Sequence, residues 1–115
     1  MSNKHNPQSI VLIAPTANVE HILAQPFYTT ESLSTEGFIH ACTLHQVEYV
    51  VGRFYNQESE LSILELDPEL ITATIKYATA TNDKQDLGGF PHIFGAINTN
   101  AIINVVPISL KPNHP

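Results

Sequence analysis

Apolar and polar positions along the chain fall into short blocks with two different periods. Ser9–Ala14 reads Ser-Ile-Val-Leu-Ile-Ala, a short β-branched run that predicts a buried strand closed by Pro15. Thr16 is placed to cap a helix whose apolar residues Val19, Ile22 and Leu23 recur at helical spacing, and Pro26 stops it. Pro26–Thr35 is rich in Thr and Ser and predicts a surface loop, after which Glu36–Ala41 returns to an extended pattern. Thr43 and Gln46 form a capping-box pair at the head of a second helix, with Leu44, Val47, Val51 and Phe54 on its apolar stripe.

Beyond the Asn56–Glu60 loop the periodicity changes to that of strands. Leu61–Leu66 predicts a strong strand, and Asp67-Pro68 a cap with proline at the first helical position, good for one turn through Leu70. Ile71–Ala78 alternates Thr72, Thr74 and Lys76 against Ala73, Ile75 and Tyr77, the pattern of a half-exposed strand. Thr79–Pro91 is a long polar loop containing Gly88-Gly89, and Ile102–Leu110 closes the chain as a strand whose Pro107 demands an edge or a bulge. The order β-α-β-α-β-β-β, helices early and strands late, predicts an α+β fold. The expected architecture is a bent mixed β-sheet with two helices on one side.

Length and composition narrow the class. At 115 residues the chain is expected to form a single domain over 1–115, with an ordered core of about 9–110 between polar tails at Met1–Gln8 and Lys111–Pro115. Apolar residues make up 43% and charged residues 14%, a balance that can fill a core. With 5 basic and 11 acidic residues the net charge is −6, which argues against nucleic acid and against an anionic membrane as partners. No apolar run reaches the roughly 20 residues of a membrane span. The polar start carries no apolar signal core, so a cytoplasmic protein is expected. The lone Cys42 excludes an internal disulfide framework.

Gly37-Phe38-Ile39-His40-Ala41-Cys42-Thr43 holds the densest chemistry. On one strand, Phe38, His40 and Cys42 would share a face, and Gly37, Ile39 and Ala41 the packed one. His40 would then lie just before a helix start, where free N–H groups favour an anion; the alternative is a histidine satisfied in the core. Gln46 and Arg53 share a face of the second helix, and Arg53, the only arginine, could fork onto a phosphate or carboxylate or pair with one of the acids. Phe90-Pro91-His92-Ile93-Phe94-Gly95 suggests a fixed turn, with a cis Phe90–Pro91 bond considered and His92 facing the same cleft as His40. A metal set of His40, Cys42, His45 and His92 matches no established ligand spacing, and no metal is expected. A Cys42–His40 nucleophile pair is weak, since side chains two apart on a strand are often too far for a hydrogen bond and no third orienting carboxylate is evident; Glu36, the nearest glutamate in sequence, is expected at the other end of its strand. These residues give a candidate site of Phe38, His40, Cys42, Thr43, Gln46, Arg53 and His92 for a small anionic molecule.

The same blocks carry a resemblance. Ser32-Leu33-x-x-Glu36-Gly37-Phe38-Ile39-His40, Gln46, Arg53-Phe54-Tyr55, Leu64-Glu65-Leu66-Asp67-Pro68 and Phe90-Pro91-His92-Ile93-Phe94-Gly95 resemble, in order and spacing, the bacterial family called domain of unknown function 952, over about Ile10 to Pro107. The resemblance implies an ADP-ribosyltransferase-like fold, a bent sheet that holds NAD in its cleft, distantly similar to tRNA 2′-phosphotransferases. By that analogy His40 would touch a nucleotide phosphate or ribose, with Arg53 in support. Three departures follow. The first strand, Ile10-Val11-Leu12-Ile13, lacks the family's tyrosine and histidine; Cys42 stands for a serine; and Ala96 stands for a proline. The first departure weighs against NAD chemistry, so no cofactor is expected, NAD being the one the resemblance would bring. Three readings result: a small-anion or nucleotide-binding domain, an NAD-using transferase or hydrolase, and a non-catalytic interaction module.

Overall fold

The computed structural model describes residues 9–54, 60–78 and 89–109. The predicted tails and most of the two predicted loops, 56–59 and 79–88, lie outside the described residues. Nine strands and three α-helices are described: β1 (Ile10–Pro15), α1 (Thr16–Ala24), β2 (Phe27–Tyr28), α2 (Glu31–Glu36), β3 (Ile39–His40), β4 (Cys42–Thr43), α3 (Val47–Phe54), β5 (Glu60–Leu66), β6 (Thr74–Ala78), β7 (Phe90–Phe94), β8 (Ile97–Asn98) and β9 (Ile102–Ser109). Single 3₁₀ turns precede α3 at Leu44–Gln46, follow β5 at Pro68–Leu70 and precede β9 at Thr99–Ala101.

The fold is α+β, but the expected single bent mixed sheet is replaced by three sheets whose described ladders are all antiparallel. They run β4-β1-β5-β9, β2-β8 and β3-β7-β6. The strands are too short, and change partner too often, to form one continuous sheet. The third helix, α2, lies in the stretch expected as a loop. Its Ser and Thr residues are compatible with one short helix, whose Leu33 packs against the core.

The four-stranded sheet divides two apolar clusters, as the alternation of β1 requires. Ile10, Leu12 and Ala14 face one way, with Leu64 and Leu66 of β5. They pack with Ile22 of α1 and with Ile39 and Ile93 of the three-stranded sheet. Val11 faces the other way with Cys42 and Ile63, where Leu44, Val47 and Val50 cover them. β9 is the edge strand that Pro107 demanded, with a register shift between Glu65 and Leu66.

Local signals explain most of the ends. Asp67 accepts from the Glu69 N–H at 3.0 Å with Pro68 in the first helical turn, as expected. The Thr43–Gln46 capping box is present, opening a 3₁₀ turn that passes into α3. Thr16 is not the cap of α1. Pro15 holds that place, and the Thr16 hydroxyl instead bonds Ser62 Oγ on β5 at 2.9 Å. The residues at Phe90–Phe94 form a strand, not a turn, and no cis peptide bond occurs among the described residues.

The three-stranded sheet carries the polar chemistry. Its register places Ile39, Ile93 and Ile75 in one row and His40, His92 and Lys76 in the next. Ile39 and Ile93 are fully buried, so the adjacent row must project outward. α2 is joined to β3 by Gly37, whose φ of 94° is a left-handed cap and whose N–H bonds the Ser32 and Leu33 carbonyls at 3.1 Å. A Cβ at Gly37 would meet nothing within 4 Å, so the cost of adding one is backbone strain alone. Gly37→Ala is expected to lower stability by about 1–2 kcal/mol, read from urea unfolding with the m-value unchanged.

Candidate functional site

The site begins with the way Phe38 is held. Ser32 Oγ of α2 donates to the Phe38 carbonyl at 2.8 Å and pairs with Thr30 Oγ1 at 2.7 Å. This fixes the chain on its way out of α2, and the Phe38 ring lies flat on His92, centroids 3.9 Å apart at an interplanar angle of 8°. His40, directly opposite His92 across the strand pair, meets both rings edge-on, at 4.9 Å from Phe38 and 5.6 Å from His92. Phe94, two residues along β7, completes the group with its ring edge-on to Phe38 at 5.4 Å. Aromatic rings at such separations attract through offset or edge-to-face contacts, so the cluster holds its own geometry.

Charge enters from both neighbours of β7. On the β3 side, His40 Nε2 donates to Glu36 Oε1 at 3.1 Å. Glu36 ends α2 and is not at the far end of a strand, because the turn at Gly37 folds the helix end back beside β3. The two side chains are 58% and 50% exposed, so their pairing contributes little stability and acts mainly to orient the imidazole. On the β6 side, Lys76 stands directly opposite His92, with its Nζ 5.9 Å from the Phe94 ring centre, within cation–π range. The result is a cross-strand row, His40–His92–Lys76, edged by two phenylalanines and one carboxylate.

His92 is the perturbed member. Partial burial lowers its proton affinity below the ordinary imidazole value, the neighbouring His40 lowers it further, and Glu36 offsets part of this. The unfolded imidazole binds its proton near about 6.5 and the folded one at lower pH. Acidification through that range therefore favours the unfolded chain.

The other expected site residues lie elsewhere. Cys42 is 2% exposed and packs with Val11 and Ile63. The expectation that it shares a face with His40 fails because the chain changes sheets at Ala41: His40 belongs to the sheet of β7, Cys42 to that of β1. Burial pushes the Cys42 thiol up to about 12, which leaves it inert as a nucleophile. Thr43 is buried at the capping box. Gln46 is 0% exposed: its Oε1 accepts from the Thr43 N–H at 2.8 Å and its Nε2 donates to the Gly89 carbonyl at 2.6 Å. That bond ties the start of α3 to the entrance of β7. Gln46 is thus a positioning residue. Arg53 donates to Tyr49 Oη at 3.4 Å, and the Tyr49 ring lies 6.2 Å from Phe90, two residues along β7 from His92. It stands on the α3 side of that strand, linked to it through Tyr49 and Phe90. Among the described residues no three His, Cys, Asp or Glu side chains are grouped to hold a metal ion.

Lys76 and Phe94 join the site although the reading above left them out. The alternation of Ile71–Ala78 marked Lys76 as exposed; only the strand register sets it beside His92.

Fold and site together define an α+β domain with an exposed imidazole–aromatic row on a small antiparallel sheet. The chain belongs to the family described as Protein of unknown function (DUF952), which it matches over residues 13–105. Protein CC0527 from Caulobacter crescentus has a similar fold. Its crystal structure and that of a double mutant each match with a TM-score of 0.68 at 20% identity, over 90% of this chain and 88% of that one. Its solution NMR structure matches at 19% identity and the same TM-score, over 90% and 87%. No curated protein matches the chain. No helix among the described residues is long and apolar enough to cross a membrane.

Two outcomes follow from this geometry. Gln46→Leu removes the acceptor of the Thr43 N–H and a donor to the Gly89 carbonyl in the interior, and is expected to cost about 2–4 kcal/mol in chemical unfolding. In an NMR titration the His92 ring protons should show a midpoint below that of a free imidazole, and His40→Asn should move it back up.

Proposed function

We propose that the outer face of the β3–β7–β6 sheet binds a small anionic molecule of the nucleotide kind, and that the protein is a binding domain. The observation that carries this is the direct opposition of His40 and His92 across the strand pair, their rings 5.6 Å apart, with Lys76 next in the same row. Three nitrogen-bearing side chains stand in one cross-strand row there on exposed sheet, and Glu36 is the carboxylate bonded to one of them. Phe94, 43% exposed, offers a ring face beside the row on which a planar base can stack. On a chain of net charge −6 such a local cationic spot favours a small anion over a polyanion, which the wider field repels.

A second reading, an NAD-using transferase on an ADP-ribosyltransferase-like fold, draws on one observation, the Glu36–His40 pair. A carboxylate that orients an imidazole is the arrangement general-base catalysis uses. Against it, Ile10, Val11 and Leu12 of β1 are buried apolar residues, so these positions offer no polar group to a ribose.

Thermal shifts with AMP, ADP and NAD, on the parent and on His40→Ala, separate the readings. A nucleotide at about a hundred times its Kd stabilises by roughly 2.7 kcal/mol, a shift of several degrees. We expect that shift in the parent and its loss in His40→Ala, whose exposed side chain leaves the core intact. Release of nicotinamide from NAD would favour the transferase. Identical melting of both proteins with every nucleotide would dismiss the face as a binding site and leave an interaction module.

A further inference from the structure

The charges in the row specify the ligand more closely, and this step rests on the reading of the face as an anion site. We propose that the ligand carries a terminal phosphate monoester, bound as the dianion while His92 takes up one proton.

The argument is a charge count over the elements that meet at His92. β6 supplies Lys76, directly opposite His92. β3 supplies His40 on the other side, and α2 supplies Glu36, which is bonded to His40 at 3.1 Å. On the α3 side, Tyr49 and Arg53 come next beyond Phe90. When His40 is charged, Glu36 compensates it; when His40 is neutral, Glu36 leaves the pair one negative charge that Lys76 offsets. Among the described groups the row therefore carries at most one net positive charge, with Lys76 as its fixed cation, and one imidazole, His92, that resists charging.

That resistance has a geometric cause. His92 lies under the Phe38 ring at 3.9 Å, flanked on both strands by nitrogen-bearing side chains, and no carboxylate bonds it among the described contacts. A monoanion on the row can be balanced by Lys76 and favours a proton on His92 less than a dianion does. A dianion needs a second positive charge within reach, and His92 is the group that can supply it. A phosphate monoester is such a dianion, with its second ionisation near about 6, so above that value binding draws one proton from solution.

AMP and 3′,5′-cyclic AMP share base and ribose, and closing the phosphate onto the 3′-oxygen removes the second ionisation. Their Kd values are to be measured by calorimetry at about pH 7 and about pH 8, in two buffers of different ionisation enthalpy. AMP should bind about tenfold more tightly than cyclic AMP at the lower pH, with uptake of close to one proton, and should lose up to about tenfold on going to the higher. Cyclic AMP should be insensitive to both pH and buffer. His92→Gln should abolish the AMP advantage and its pH dependence, whereas Lys76→Gln should weaken both nucleotides. Equal affinities in the parent, or AMP binding independent of pH, would overturn the dianion assignment and leave the anion site standing. Failure of AMP, cyclic AMP and inorganic phosphate all to bind would overturn the anion site, and this assignment with it.

Discussion

The change of sheet at Ala41 is the constraint on which the rest depends. β3 pairs with β7 for two residues only, and the Ala41 N–H makes one last bond to the Pro91 carbonyl at 3.2 Å before the chain joins β1 as β4. An antiparallel residue points its N–H and its carbonyl to the same side. The donor that Pro91 lacks is therefore missing on the β3 side, where the ladder ends. A proline in the middle strand of a sheet would ordinarily cost a ladder bond. Here it coincides with the point where the neighbouring strand departs, so the departure and the missing donor suit one another.

Two consequences follow on either side of Ala41. Before it, alternation buries Ile39 and lifts Phe38 and His40 outward. After it, Cys42 enters the second apolar cluster and Thr43 caps the turn into α3. Gln46 then closes the circuit, since its amide bonds both the Thr43 N–H and the Gly89 carbonyl. Gly89 itself has a φ of 87° and precedes β7, so the start of the strand that bears His92 is pinned by the helix that follows His40. The exposed row is held by a buried polar contact whose loss takes a partner from two backbone groups.

The outer row is anchored by what lies under it. Full burial of an isoleucine is worth about 1.5–3 kcal/mol, and Ile39 and Ile93 are both fully buried. A slip of β3 by one residue against β7 would expose Ile39 and bury His40, and a slip of β7 would do the same to Ile93 and His92. The imidazoles thus owe their outward position to apolar neighbours of opposite parity.

Short-range physics made much of this readable from the chain. The Asp67-Pro68 turn, the Thr43–Gln46 capping box, the edge position of β9, the buried first strand and the α+β class all rest on local signals: a cap, a fixed φ, a missing N–H, an apolar run. That His40 and His92 come together was also legible, from two odd stretches of sequence, as was the exposure of Lys76 from its alternation. Pairing was not. Residues 79–88 separate β6 from β7, and no local preference states which residue of one strand faces which of the other. Tertiary packing alone aligned Lys76, His92 and His40, folded Glu36 back through the left-handed turn at Gly37, and withdrew Cys42 and Gln46 into the interior. A side chain's face is set by its own strand, but its neighbours are set by the sheet to which that strand is bonded, and at Ala41 this chain changes sheets.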